Sequence, residues 1–293
     1  MTPTVAPLVV TEPGMYDGLS ADDYHRDPVP GGSLSSTGAR KLLTPSCPAL
    51  YRWEQDNPPA PKRTFDFGHA AHKVVLDDGP DLVVTEYDDW RTKAAREERD
   101  AARAAGQVPL LFHEGEQVQA MADAIRQHPV AGRLFTPGSG VAEQSGFWQD
   151  PDTGVWCRFR PDWMRHRADD DRLILVDYKT TTDVSPAALQ RAVYEYGYHA
   201  QGDWYCTGAK ALGLAGRYEP GFVFVFQMKT APYLVHIVEL DEKAFFYGGK
   251  RNRRAREIFA DCQRTGRWPS FNDAVTYLPL PPWGEKRDEE DYL

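Results

Sequence analysis

The 293-residue chain carries 34 Lys and Arg against 43 Asp and Glu, a formal net charge of −9. Its 41% hydrophobic and 12% aromatic content is enough to fill a core, which excludes a disordered polyelectrolyte. No apolar run approaches the roughly 20 residues of a membrane span, and Cys47, Cys157, Cys206 and Cys262 form no C-x-x-C pair, which excludes a zinc knuckle.

No charged-then-apolar leader opens the sequence, and scattered thiols fit a reducing compartment, so a soluble cytoplasmic protein is expected. Excess acid counts against capture of DNA by net charge, but the local field at a cleft decides capture. Asp17, Asp22, Asp23 and Asp27 gather near the start and further carboxylates between Glu285 and Asp291. Base gathers in Lys250-Arg251-Asn252-Arg253-Arg254-Ala255-Arg256, which is either a phosphate track or a solvated helix face.

Residues 1–31, rich in Pro, Gly and Asp, read as an irregular arm. Helices are predicted over Ser35–Leu43, whose opening hydroxyls can cap backbone N–H groups, and over Pro48–Gln55. Phe65–Leu76 reads as a third helix, with Gly68 and His72 one turn apart on one face. A short strand at Leu82–Thr85, an exposed helix from Arg91 to Arg103 and a helix over Glu114–Gln127 follow. From Val141 the period changes: Val141–Gln149 and Val155–Phe159 form a hairpin joined by Asp150-Pro151-Asp152-Thr153-Gly154. Leu173–Lys179 is the next strand, Ser185–Leu212 is helical with a break near Gly197, and Phe222–Met228 and Tyr233–Leu240 are strands. A long basic helix over Glu242–Thr265 leads to a Pro-rich stretch and an acidic tail. The fold class expected is mixed α/β, one central mixed sheet flanked by helices. One domain is expected over residues 32–268, with a helical part (32–130) and a core (131–268), between the arm and a tail at 269–293.

The most informative pattern is Pro161-Asp162, then Leu173-Ile174-Leu175-Val176-Asp177-Tyr178-Lys179. Leu173–Val176 is a short apolar run of a buried strand. Alternation puts Asp177 and Lys179 on one face and Tyr178 on the other. A carboxylate and an ammonium leaving a core strand together are costly to place without a use, although a strand-end salt bridge would look the same. Two further sets stand out. Ser33, Ser35 and Ser36 with Arg40 make either an anion site or a plain helix N-cap. Arg160, on the strand leading into Asp162, is either a phosphate contact or an ion-pair partner for the carboxylates.

Pro161-Asp162 followed by Asp177-x-Lys179 at strand ends resembles the PD-(D/E)XK nuclease superfamily, and the chain is similar to its RecB-like branch. More narrowly it resembles the RecE-type exonucleases of phages and prophages. Asp23-Tyr24-His25, the stretch Gly32–Leu43, Cys47–Tyr51, Gly68-x-x-x-His72, Glu143 and Gln201-x-x-x-Tyr205 carry that likeness, over roughly residues 16–240.

The resemblance implies a restriction-endonuclease-like core and two Mg²⁺ or Mn²⁺ ions. Asp162 and Asp177 would be the core ligands, with His72, Glu143 and the Tyr178 backbone carbonyl joining them. Hard cations prefer such oxygen donors, and two of them supply both nucleophile and charge neutralisation. Lys179 would hold or deprotonate the attacking water, since a lysine hemmed in beside metal ions can have a lowered pKa. Gln201 and Tyr205, one turn apart, would position the DNA or a water, and Arg160, Ser35, Ser36 and Arg40 would contact DNA. Implied too are linear duplex DNA as substrate, 5′ to 3′ digestion leaving 3′ tails for recombination, a ring-like homo-oligomer and a bacterial host. The tail could dock a single-strand annealing protein or a neighbouring subunit. Three other readings stay open at this point: an endonuclease on the same fold, an iron–sulfur nuclease (whose clustered cysteines this chain lacks), and a non-catalytic DNA-binding module.

Overall fold

The computed structural model describes residues 8–57, 67–77, 79–166 and 172–293. The first half runs β1 (Gly14–Tyr16), α1 (Ala21–Arg26), β2 (Leu34–Ser35), α2 (Ser36–Lys41), α3 (Pro48–Asp56), α4 (Phe67–Leu76), β3 (Leu82–Val84), α5 (Lys93–Ala104), β4 (Val108–Leu110), α6 (Phe112–Gln127) and α7 (Ala131–Leu134). The second half runs β5 (Val141–Ala142), β6 (Ser145–Gln149), β7 (Trp156–Phe159), β8 (Trp163–His166), β9 (Leu173–Thr181), α8 (Pro186–Glu195), α9 (Tyr198–Ala211), β10 (Gly221–Met228), β11 (Val235–Glu239), α10 (Glu242–Thr265) and α11 (Pro282–Tyr292). Residues 65–66, the expected start of α4, lie outside the described residues.

The fold is mixed α/β. Its main sheet has the order β11-β10-β9-β8-β5, in which only β9 and β10 are parallel. A parallel pair needs a crossover, and α8 and α9 supply it. Strand parity then divides the core. Leu173 and Leu175 of β9 face one way, into a cluster with Trp204 of α9, Phe222 and Phe224 of β10 and Phe259 of α10. Ile174, Val176 and Tyr178 face the other way, among Ala71 of α4, Met121 and Ile125 of α6 and Phe135. Tyr178 is wholly buried, and its hydroxyl finds Gln227 Oε1 at 2.5 Å, so the polar tip is satisfied. Truncating such an aromatic costs about 3–5 kcal/mol.

The expected mixed sheet flanked by helices is present, but the hairpin is not part of it. β6 and β7 do form the hairpin over the Asp150–Gly154 turn, but they belong to a second sheet, β1-β6-β7-β2. The break falls at Glu143, whose φ of 50° turns the chain out of β5 before β6 begins. A left-handed conformation is rare for a residue with a Cβ and has no signature in sequence.

The arm read as irregular carries β1 and α1, and it is tied to the core. Arg158 of β7, 8% exposed, reaches Asp27 Oδ2 at 2.5 Å and donates to the Ser33 carbonyl and hydroxyl at 2.8 and 2.7 Å. Tyr24 and Phe147 pack beside this network. The acidic tail carries α11, a helix not expected from its composition. Among the described residues no helix is long and apolar enough to cross a membrane.

Candidate active site

Register builds the site. Ala142 of β5 pairs with Trp163 of β8, and Trp163 pairs with Val176 of β9. One step further along each antiparallel pair, Glu143, Asp162 and Asp177 stand in one row across three neighbouring strand ends. The Glu143 N–H donates to the Asp162 carbonyl at 3.2 Å, which continues that ladder past the last assigned pair.

Each side chain in the row has a defined partner. Asp162 Oδ2 accepts the Tyr178 N–H at 2.6 Å. Asp177, 2% exposed, accepts from Gln201 Nε2 at 2.5 Å on Oδ1, while Lys179 Nζ lies 2.5 Å from Oδ2. That second oxygen is buried, and the contact with Lys179 is an ion pair. Lys179 Nζ also lies 5.5 Å from the ring centre of Tyr198. Glu143 Oε2 accepts from Arg160 Nε at 2.6 Å, and Arg160 Nη1 donates to the Leu19 carbonyl and Ser145 Oγ, both at 2.8 Å. Tyr205, one turn after Gln201 on α9, donates to the Arg160 carbonyl at 3.1 Å. His72 arrives from α4: its Nε2 is 2.9 Å from the Tyr178 carbonyl and 3.8 Å from Asp162 Oδ2.

The electrostatics are those of buried like charges waiting for a counter-ion. Burial raises Asp162 well above the ordinary carboxylate value, and the charge of Asp177 adds to it. Burial acts to lower Lys179, but the Asp177 and Asp162 charges outweigh it, and its pKa rises above the ordinary value. Burial, then the Lys179 charge, hold His72 below its ordinary value, which keeps the ring neutral and able to ligate.

The donor set suits a divalent cation. One ligand atom each from His72, Glu143 and Asp162 lie within 4.8 Å of one another. His72 Nε2 and the Tyr178 carbonyl face each other at 2.9 Å. Adjacent ligands of an octahedral ion with bonds near 2.0–2.1 Å are about 3 Å apart, so a cation can replace the proton these two share. Asp177 lies outside this compact set, engaged by Lys179 and Gln201.

The remaining expected residues divide between two arms of the cleft. One, of about 450 Å³, is lined by Ser35, Ser36, Lys41, His72, Glu143 and Asp162 among others. Ser35 caps α2, its Oγ accepting the Gly38 N–H at 3.1 Å, so the plain capping role is filled. Ser36 Oγ is buried with no hydrogen-bond partner. Arg40 does not line this arm; it lines the other, of about 620 Å³, with Lys179, Tyr196, Tyr198 and Arg251. Asp162, Gln201 and Tyr205 line both. Tyr196 and Tyr198 were not singled out by sequence reading, and Arg251 was noted only within the basic run Lys250–Arg256. The available signal was the Tyr194-x-Tyr196-Gly197-Tyr198 cluster at the helix break.

Comparisons with known proteins bear on the fold. A crystal structure from Eubacterium rectale, provisionally assigned as an exonuclease, aligns with a TM-score of 0.56 at 9% identity over 97% of this chain and 99% of that chain. The crystal structure of SSO0001 aligns with a TM-score of 0.28 at 13% identity over 64% of this chain and 84% of that chain, too distant to carry an argument. No curated protein matches the chain. The family model that does match spans residues 35–280, and with it the chain belongs to the family described as the PDDEXK-like domain of unknown function (DUF3799).

Proposed function

We propose that this protein is a metal-dependent DNA exonuclease. The observation that carries the reading is the row Glu143–Asp162–Asp177 with His72 and Lys179 converging on it. His72, Glu143, Asp162 and the Tyr178 carbonyl would hold a divalent cation, with Asp177 serving a second of the two Mg²⁺ or Mn²⁺ ions. Such ions, when bound, neutralise charge on a scissile phosphate and lower the pKa of water. The chain's own part is positioning. Lys179, kept as an ammonium by Asp177, holds the attacking water and offers charge to the phosphoryl oxygens. Gln201 fixes the Asp177 carboxylate, and Arg160 fixes that of Glu143.

The finer reading follows the RecE-type resemblance. The substrate is linear duplex DNA, digested 5′ to 3′ to leave 3′ single strands for recombination in the cytoplasm of a bacterial host, the gene being carried by a phage or prophage. The buried, unpartnered Ser36 Oγ in the first arm supports recognition of a terminal phosphate there. The exposed Val275, Tyr277 and Leu278, ahead of acidic α11, support docking of an annealing protein or a second copy in a ring-like homo-oligomer.

The test is a digestion series on end-labelled linear duplex and covalently closed circular DNA, with Mg²⁺ or with EDTA. Metal-dependent loss of the linear DNA from its 5′ label, with the circle intact, is the expected outcome. Cutting of the circle would make the protein an endonuclease, and no cutting of either would make it a binding module.

A further inference from the structure

Beside residues of the proposed reaction centre, the second arm of the cleft holds a set that this chemistry does not need. In a chain of net charge −9, it brings together two guanidiniums that form no ion pair among the described residues. Arg40 donates to the Tyr196 carbonyl and to Thr37 Oγ1 at 3.0 Å, and Arg251 approaches His199 Nε2 at 3.4 Å. Burial lowers Arg40 from its ordinary value, Tyr205, Tyr198 and Asp177 oppose the shift in part, and the neighbouring charge of Arg251 adds to it. Although Asp162, Asp177 and Glu195 line the same arm, neither guanidinium has a carboxylate in contact among the described residues, and two such donors side by side suit an anionic ligand.

Arg40 is placed there by backbone design. Gly197 has a φ of 66°, and a Cβ on it would meet Arg40 Cδ at 2.7 Å. Only glycine both turns the chain between α8 and α9 and lets the arginine stem lie across the turn. The same turn presents an aromatic row. Tyr196 is 60% exposed, its ring centre lies 5.6 Å from that of Tyr198, and the Tyr198 ring lies beneath Lys179 Nζ. The row thus runs from solvent to the lysine of the proposed reaction centre.

We propose that this arm is a track for one unpaired nucleic-acid strand running from the scissile phosphate, with Arg40 and Arg251 on its phosphates and a base stacked on Tyr196. It rests on the nuclease reading. A phosphate backbone supplies the anions the guanidiniums lack. Bases inside a duplex have both faces covered, whereas an unpaired base offers a face to an exposed ring. The track therefore selects strand form, a property that carboxylates and cations alone do not give the site.

The experiment is fluorescence anisotropy of a labelled oligothymidylate and of a blunt-ended hairpin duplex, in EDTA, across a salt series. Tyr196→Ala is expected to weaken single-strand binding by about 5- to 100-fold and to leave duplex binding within about twofold, with Tyr196→Phe retaining single-strand binding because stacking needs no hydroxyl. Arg251→Ala is expected to flatten the dependence of log affinity on log salt by about 0.7, one single-strand phosphate contact. Wild-type protein that does not bind the single strand, a Tyr196→Ala protein that binds it normally, or equal losses on strand and duplex would each overturn the track. Digestion of linear duplex by the wild type is measured alongside. Cutting without the Tyr196 effect removes the track and leaves the nuclease. The Tyr196 effect without cutting removes the nuclease and leaves a strand-binding surface.

Discussion

Glu143 and Asp162 face each other across the edge of the main sheet, joined by the hydrogen bond from the Glu143 N–H to the Asp162 carbonyl. The φ of 50° at Glu143 is what lets its side chain turn back toward His72 while the chain departs into another sheet. Strain of this kind costs about 1–3 kcal/mol and persists where surrounding contacts enforce it. Glu143→Gln keeps an oxygen for Arg160 but removes the charge. It is expected to fold normally and to lose about tenfold or more of Mn²⁺ affinity, read as a smaller rise in melting temperature on adding Mn²⁺.

Asp162 gives a pH prediction with a definite sign. Its pKa is raised in the folded state by burial and by Asp177. The folded protein therefore holds this proton more tightly than the unfolded chain does. Stability from this group is full below the ordinary carboxylate pKa and is lost as pH rises through the raised value. Asp162→Asn should then make the metal-free protein more stable at neutral pH, by about 1–3 kcal/mol, with the difference from wild type shrinking toward pH 4. Urea unfolding in EDTA at several pH values measures it, and an Asn variant less stable than wild type at neutral pH would contradict the electrostatic account.

Lys179→Met tests the reaction centre separately from folding. The change removes the ammonium and keeps most of the stem, leaving Asp177 held by Gln201. Cleavage should fall by about 10²- to 10⁴-fold, with circular dichroism unchanged. Activity near that of the wild type would move the chemistry to another element.

The N-terminal arm carries a stability prediction. Asp27→Ala leaves the Arg158 guanidinium buried beside the Ser33 oxygens without its carboxylate. Breaking a buried pair on one side costs about 3–5 kcal/mol. Loss of well under 1 kcal/mol in urea unfolding would show that the arm is only loosely attached.

Gly197→Ala is expected to destabilise the protein by about 1–2 kcal/mol from its left-handed φ alone, and further from the contact with Arg40 Cδ. Urea midpoints of this variant and of Gly213→Ala separate the two terms. Gly213 has a similar φ of 68° but open space where a Cβ would stand.

What could be read from sequence was what rests on local period. β9 announced itself as an apolar run, and its parity placed Asp177 and Lys179 opposite Tyr178. The Asp150–Gly154 turn and the break at Gly197 were legible from turn residues. β8 was not, because its four residues, Trp163–His166, carry too little pattern to register. Nor was the separation of β5 from β6, since nothing marks a glutamate for a positive φ. Arg40 was read with the serines at the start of its helix, yet its partner is Tyr196, 156 residues away. Contacts at that separation leave no trace in a local window. The Asp27–Arg158 pair was hidden for the same reason, inside a stretch whose composition resembles a loop.

The row Glu143–Asp162–Asp177 also says where this chain can change length. Three strands must agree in phase for the row to exist, and a slip of one residue in any of them turns its side chains to the opposite face. Insertions are therefore tolerable at the Asp150–Gly154 turn, which leaves both flanking registers untouched. A single deletion within Trp163–His166 is not, because it sets β8 out of step with both neighbours at once. In a collection of length variants, survivors should cluster at the turn and be missing from that four-residue strand.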